Sequence, residues 1–97
     1  MTKIIDVIAG KRNQLIDLAA KHGVNNIRIF GSAIRGDDTA NSDIDLLVHF
    51  EDGRSIYDFI EFKLDAEEMF GRKVDVVSDR AINHLLEPYI LSDAREL

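Results

Sequence analysis

The chain contains no cysteine, which excludes disulfides, thiolate metal sites and a cysteine nucleophile. It has one proline, Pro88, and no tryptophan. No apolar run approaches the roughly 20 residues that a membrane-spanning helix needs. The opening stretch Met1-Thr2-Lys3-Ile4-Ile5-Asp6 is interrupted by charge too early for a secretory signal. A cytoplasmic location without membrane contact is expected. Basic residues are outnumbered, 12 Lys and Arg against 18 acids, for a net charge of −6. Phosphate backbones are gripped by clustered Lys and Arg, so direct nucleic-acid binding is not expected. Between Arg35 and Arg54 there is no Lys or Arg at all, but six acids: Asp37, Asp38, Asp43, Asp45, Glu51 and Asp52. A segment of that kind either lies in water or holds cations.

What is present is an ordinary globular composition. The 97 residues, 45% of them hydrophobic, suit one domain spanning 1–97, with no repeat, linker or low-complexity tract. Apolar spacing predicts a helix from Thr2 to His22, weakened at Gly10 and stopped at Gly23. Asn26–Phe30 reads as a short strand, Ala33–Gly36 as a turn of helix and Asp37–Asn41 as a loop. Ser42–Phe50 is the clearest strand. Ile44, Leu46, Val48 and Phe50 line one face, while Asp43, Asp45, Leu47 and His49 line the other. Ser55-x-x-Asp58 is a capping pattern. The helix it opens runs to about Phe70, with Ile56, Phe59, Ile60, Leu64 and Met69 as the expected buried stripe and Tyr57 in the core. Lys73–Val77 reads as a further strand. A last helical pattern, Ile82, Leu85, Leu86, Tyr89 and Ile90, is interrupted by Pro88. The order α-β-loop-β-α-β-α predicts a mixed α+β fold, a small sheet flanked by helices.

Asp43 and Asp45 stand two residues apart on one strand, so their Cα atoms are about 6.5–7 Å apart on the same face. Side by side without a counter-charge they repel. A divalent cation removes that cost, and hard oxygen donors favour Mg²⁺ or Mn²⁺ over zinc. Asp75 sits on a separate strand. If that strand lies beside Ser42–Phe50, three carboxylates meet, a set able to hold two ions about 3.5–4 Å apart for in-line phosphoryl displacement. Taken alone, Asp-x-Asp on an outward face is more often a solvated surface. Two facts weigh against that here. Strands disfavour Asp, and the pair is preceded by Phe30-Gly31-Ser32-Ala33-Ile34-Arg35-Gly36. There Gly31 lets the backbone approach a ligand closely, Ser32 offers a hydroxyl and an N–H, and Arg35 lies within reach of the same anion.

Gly31-Ser32, ten intervening residues and then Asp43-Ile44-Asp45-Leu46, with Asp75 in Lys-Val-Asp-Val-Val, together resemble the signature of the DNA polymerase β-type nucleotidyltransferase superfamily. The short length, Gly-Ser-x-x-Arg-Gly and Ser-Asp-x-Asp-Leu resemble its minimal nucleotidyltransferase (MNT) branch. The likeness covers about Ile27 to Val77. It implies a polymerase β-like fold with Mg²⁺, two ions, at Asp43, Asp45 and Asp75, where Mn²⁺ would also fit. It implies that Gly31 and Ser32 hold the β- and γ-phosphates of ATP, with Arg35 and Ser42 as further phosphate contacts, and that Asp75 helps to activate the attacking hydroxyl. Minimal nucleotidyltransferases are similar to the antitoxin half of HEPN/MNT toxin–antitoxin pairs. The resemblance therefore implies transfer of AMP to a tyrosine of a HEPN-type toxin partner.

Two other readings stay open: a nucleotidyltransferase acting on a small molecule or an RNA end, and an antitoxin that silences its partner by contact alone. A homo-oligomer is also compatible with the sequence. His49 and His22 read as structural, the latter at a helix end. His84 has no acid or nucleophile near it in sequence. Asp37 and Asp38 read as loop acids, and the acids from Glu61 to Glu68 as a solvated helix face.

Overall fold

The computed structural model describes residues 3–80 and 94–97. It opens with two helices, α1 (Ile4–Gly10) and α2 (Arg12–Lys21), where the spacing predicts one. The break falls at Lys11, whose backbone (φ −120°, ψ 19°) leaves the helical region directly after Gly10. Glycine is the poorest helix former after proline. The break is braced across the fold, since the Lys11 Nζ donates to the Met69 carbonyl at 2.6 Å. Both helices still bury one stripe, Ile4 and Ile8 from α1 and Leu15 and Ala19 from α2.

β1 (Val24–Phe30) begins two residues before the predicted strand. Its register shifts between Asn25 and Arg28, and Asn26 takes a positive φ of 51° there, a conformation that Asn tolerates better than most residues. α3 (Ser32–Arg35), β2 (Ile44–Phe50), α4 (Ile56–Phe70) and β3 (Val74–Ser78) follow. A two-residue strand, β4 (Arg95–Glu96), is too short to show any periodicity and was not expected. The sheet order is β3-β2-β1-β4. β2 and β3 are parallel, and β1 is antiparallel to both β2 and β4. This is the expected small mixed sheet with helices.

The core lies between sheet and helices. Ile29, Ile44, Leu46, Val48, Val74 and Val76 meet Ile4, Ile8, Leu15, Ala19, Phe62 and Ala66. Strand alternation therefore turns Asp45, Leu47 and His49 of β2, and Asp75 of β3, to the opposite face.

The start of α4 is as predicted. Ser55 accepts from the Tyr57 N–H, and Asp58 accepts from the Ser55 N–H, closing the capping box. Its buried face is only in part the predicted one: Phe59 and Met69 pack against the core as expected, while Ile56, Ile60 and Leu64 do not. Phe62 and Ala66 are buried, flanked by Phe59, Met69 and Phe70. Ile56, Ile60, Leu64 and Tyr57 are exposed. Two apolar arcs with the same 3.6-residue period compete on this helix. The arc with three phenylalanines and a small Ala66 gives more buried volume and a closer approach to the sheet. Among the described residues no helix is long and apolar enough to cross a membrane. The predicted helical pattern from Ile82 to Ile90, with His84, lies outside the described residues.

Candidate active site

Three backbone features bring the site together. β2 and β3 pair in parallel with Asp45 opposite Asp75, and β1 pairs with β2 so that Phe30 lies opposite Asp45. The residue after Phe30 is Gly31, which therefore comes up against the Asp45 carboxylate. Gly31 has φ 77° and ψ −147°, a region closed to other residues, and a Cβ there would overlap Asp45 Oδ2. Position 31 admits only glycine on both counts. From it α3 turns back, with the Ile34 and Arg35 N–H groups on the Gly31 carbonyl, and ends on a left-handed Gly36.

Asp45 is the perturbed group. Its pKa is raised from 3.8 to about 6, first by burial, then by the charges of Asp75 and Asp43, and also by a hydrogen bond with Asp75. Arg35 pulls in the other direction, which places its cation in the field of the site, although its Nε also donates to Asp37 at 3.4 Å. Asp43 stands just before β2, 3.8 Å from the Lys73 Nζ. Lys73 is a neighbour that the sequence did not bring to notice. Ser42 is turned elsewhere: its Oγ accepts from the Thr39 N–H at 2.8 Å and its carbonyl accepts from Arg72.

Two supports were missed. Asp38, read as a loop acid, is buried, and its Oδ2 accepts from the Ile4 N–H at 2.8 Å. It thereby caps α1 from the loop that follows the Gly-Ser turn, with Lys3 3.9 Å from its other oxygen. Glu67, read as part of a solvated face, accepts from the Val74 N–H and from Lys63, both at 3.0 Å. Those donors, the Val74 N–H first, hold its carboxyl below the usual range. Glu67 so fixes the entry to β3 one residue before Asp75. The only sequence signal for it was its place four residues before the helix-ending Gly71. His22 is buried at the end of α2, 3.2 Å from Asp65 and within 4 Å of Asp58 and Glu61. His49 contacts Asp79 at 3.0 Å on the sheet face of the site.

The donor set tests well for a hard divalent ion in its chemistry. Asp45 and Asp75 face each other across the paired strands, and their mutual charge raises the Asp45 pKa, a repulsion that a cation would relieve. All three acids offer only oxygen. Among the described residues no three acids or histidines converge as a closed set of metal ligands, since Asp43 leans to Lys73. The arrangement comprises two facing carboxylates, a third beside a lysine, and a glycine turn against them.

The sequence and the fold are similar to those of known proteins. The polymerase beta nucleotidyltransferase family matches residues 13–97. A Methanocaldococcus jannaschii protein bearing the name of a protein adenylyltransferase is 40% identical over 86% of this chain and 89% of its own. A solved minimal nucleotidyltransferase superposes with a TM-score of 0.85 at 38% identity, over 95% of this chain and 94% of the other. A mutant of the toxin–antitoxin pair MntA-HpeT has a TM-score of 0.71 at 25% identity, over 89% of this chain and 70% of the other. The chain therefore belongs to the polymerase beta nucleotidyltransferase family, as one of its minimal members, and is a nucleotidyltransferase.

Proposed function

We propose that this chain, acting as one domain, transfers AMP from ATP to a tyrosine hydroxyl of a HEPN-type toxin and so serves as its antitoxin. The observation that carries the reading is the facing of Asp45 and Asp75 in register, with Gly31 against them. The names of its relatives, protein adenylyltransferase and toxin–antitoxin MntA-HpeT, support the class of acceptor.

In this reading Gly31 and Ser32 take the β- and γ-phosphates, and Arg35 adds a cation on the same side. Ser42, whose hydroxyl is engaged by Thr39, is a weaker phosphate contact. Asp43, Asp45 and Asp75 would hold Mg²⁺, two ions in the full site, with Mn²⁺ as a substitute. When bound, the metal supplies neutralising charge for the triphosphate and the departing pyrophosphate. The acceptor oxygen bonds to the α-phosphorus, and the bond from that phosphorus to the β-phosphate oxygen breaks. Asp75 receives the hydroxyl proton and the pyrophosphate leaves.

The test incubates the protein with ATP, Mg²⁺ and the product of its neighbouring gene. Intact-mass and tandem mass spectrometry of both chains follow. One or more AMP masses on a tyrosine of the neighbour, absent with Asp43→Asn plus Asp45→Asn, is the expected result. A stable complex that gains no mass would overturn the reading in favour of silencing by contact.

A further inference from the structure

Four of the five large apolar side chains that the described residues leave exposed lie on one helix. Ile56 is 70% exposed, Tyr57 73%, Ile60 44% and Leu64 56%. At about 100° per residue these four fall within an arc of about 100°, a ridge about 12 Å long on the side of α4 turned from the core. An open cavity of about 350 Å³, lined by Phe50, Arg54, Ser55, Ile56, Phe59 and Ser78, adjoins the ridge at Ile56. It is a receptacle next to a ridge, the relief that a protein surface uses to seat a large apolar side chain. Glu61, Asp65 and Glu68 follow one another along one flank of the ridge.

Apolar exposure of this extent, roughly 400–500 Å² for four such side chains, is on a monomer the size of patch that marks an interaction site. A second copy of this chain is a poor occupant. The patch is well below the ~800 Å² per partner of a standard stable interface, and each copy carries a net charge of −6. A protein that binds transiently, with an apolar segment bordered by Lys or Arg, satisfies both the area and the acid flank.

We infer that the outer face of α4 is a docking surface for the acceptor protein, which it engages through an apolar segment with a basic border. This rests on the proposal that the acceptor is a protein. α4 lies on the helix side of the sheet, and Asp45 and Asp75 face the other side. The surface therefore holds the acceptor without touching the reacting atoms. It sets the affinity for the acceptor and leaves ATP handling alone.

The experiment uses the triple variant Ile56→Ser, Tyr57→Ser, Ile60→Ser and the single variant Glu68→Lys. Glu61 and Asp65 are left in place because they face His22. Circular dichroism checks the fold, titration calorimetry gives Kd for the neighbouring-gene protein, and label transfer gives KM and kcat. The triple variant is expected to raise Kd and acceptor KM at least tenfold, with kcat at saturating acceptor and KM for ATP unchanged. Glu68→Lys is expected to weaken binding at low salt and to lose that effect at high salt. Equal Kd for wild type and triple variant would overturn the inference. So would a self-association of the wild type that the triple variant abolishes, which would assign the face to a second copy. Binding that depends on the ridge but yields no AMP transfer would sustain the docking surface and sink the proposed reaction.

Discussion

Replacing Asp45 by Asn is expected to stabilise the metal-free protein at neutral and alkaline pH. Burial and the charges of Asp75 and Asp43 raise the Asp45 pKa from 3.8 to about 6. At about 1.4 kcal/mol per tenfold change in proton affinity this is about 3 kcal/mol, and screening of a half-buried group by solvent reduces it to about 1–2 kcal/mol. The sign follows from linkage. Below pH 3.8 the carboxyl is protonated in both the folded and the unfolded chain and costs nothing. Between 3.8 and about 6 only the unfolded chain ionises, so folding loses stability as pH rises, and above about 6 the loss is complete. Asn carries no charge and avoids it. In chelator at pH 8, Asp45→Asn should melt about 5–10 °C above wild type, on the scale of 4–8 °C per kcal/mol for a domain of this size. The gain should shrink towards zero as pH falls from 6 to below 4. Millimolar Mg²⁺ should stabilise the wild type and not the variant. An unchanged or lower melting temperature at pH 8, or a gain that does not vary with pH, would refute the reasoning.

Other consequences follow from the same geometry. Mg²⁺ affinity, read by calorimetry, should fall up to tenfold for each pH unit below about 6, because the ion must displace the proton held at Asp45; a flat profile from pH 5 to 8 would contradict this. Gly31→Ala should cost more than about 1 kcal/mol through its positive φ and abolish label transfer through overlap with Asp45; a folded, fully active variant would refute the turn's role. Ser55→Ala should cost about 1 kcal/mol by opening the capping box, seen as a lower melting temperature with unchanged transfer. Asp38→Ala should cost about 1–3 kcal/mol by leaving the Ile4 N–H without its acceptor, and hydrogen exchange at Ile4 reports it directly; unchanged protection there would show that Asp38 does not cap α1.

Much of the site was legible because its signals are local. Gly31-Ser32 and Asp43-x-Asp45 are short-range patterns whose meaning depends on a strand followed by a turn, and Asp75 needed only the parallel pairing of β2 with β3. What stayed hidden depends on long-range packing. The orientation of α4 was only half legible. Of the stripe Ile56, Phe59, Ile60, Leu64 and Met69, Phe59 and Met69 face the core, but Phe62 and Ala66 extend a second arc of equal period around them, and only the volume of the core decides against Ile56, Ile60 and Leu64. Asp38 and Glu67 looked like wet acids because their partners, the Ile4 and Val74 N–H groups, lie 34 and 7 residues away in sequence. Lys11 broke the first helix at a glycine that propensity had marked only as weak. β4 is two residues long and exists only through its register with β1.

The central claim is that Asp45 and Asp75, facing each other beside Gly31, form the site of nucleotidyl transfer. The most direct test is transfer of α-labelled ATP by wild type, Asp45→Asn and Asp75→Asn, each checked for fold by circular dichroism. Loss of at least about a hundredfold in both variants, with the fold retained, is the expected result. Wild-type rates in either folded variant would contradict it.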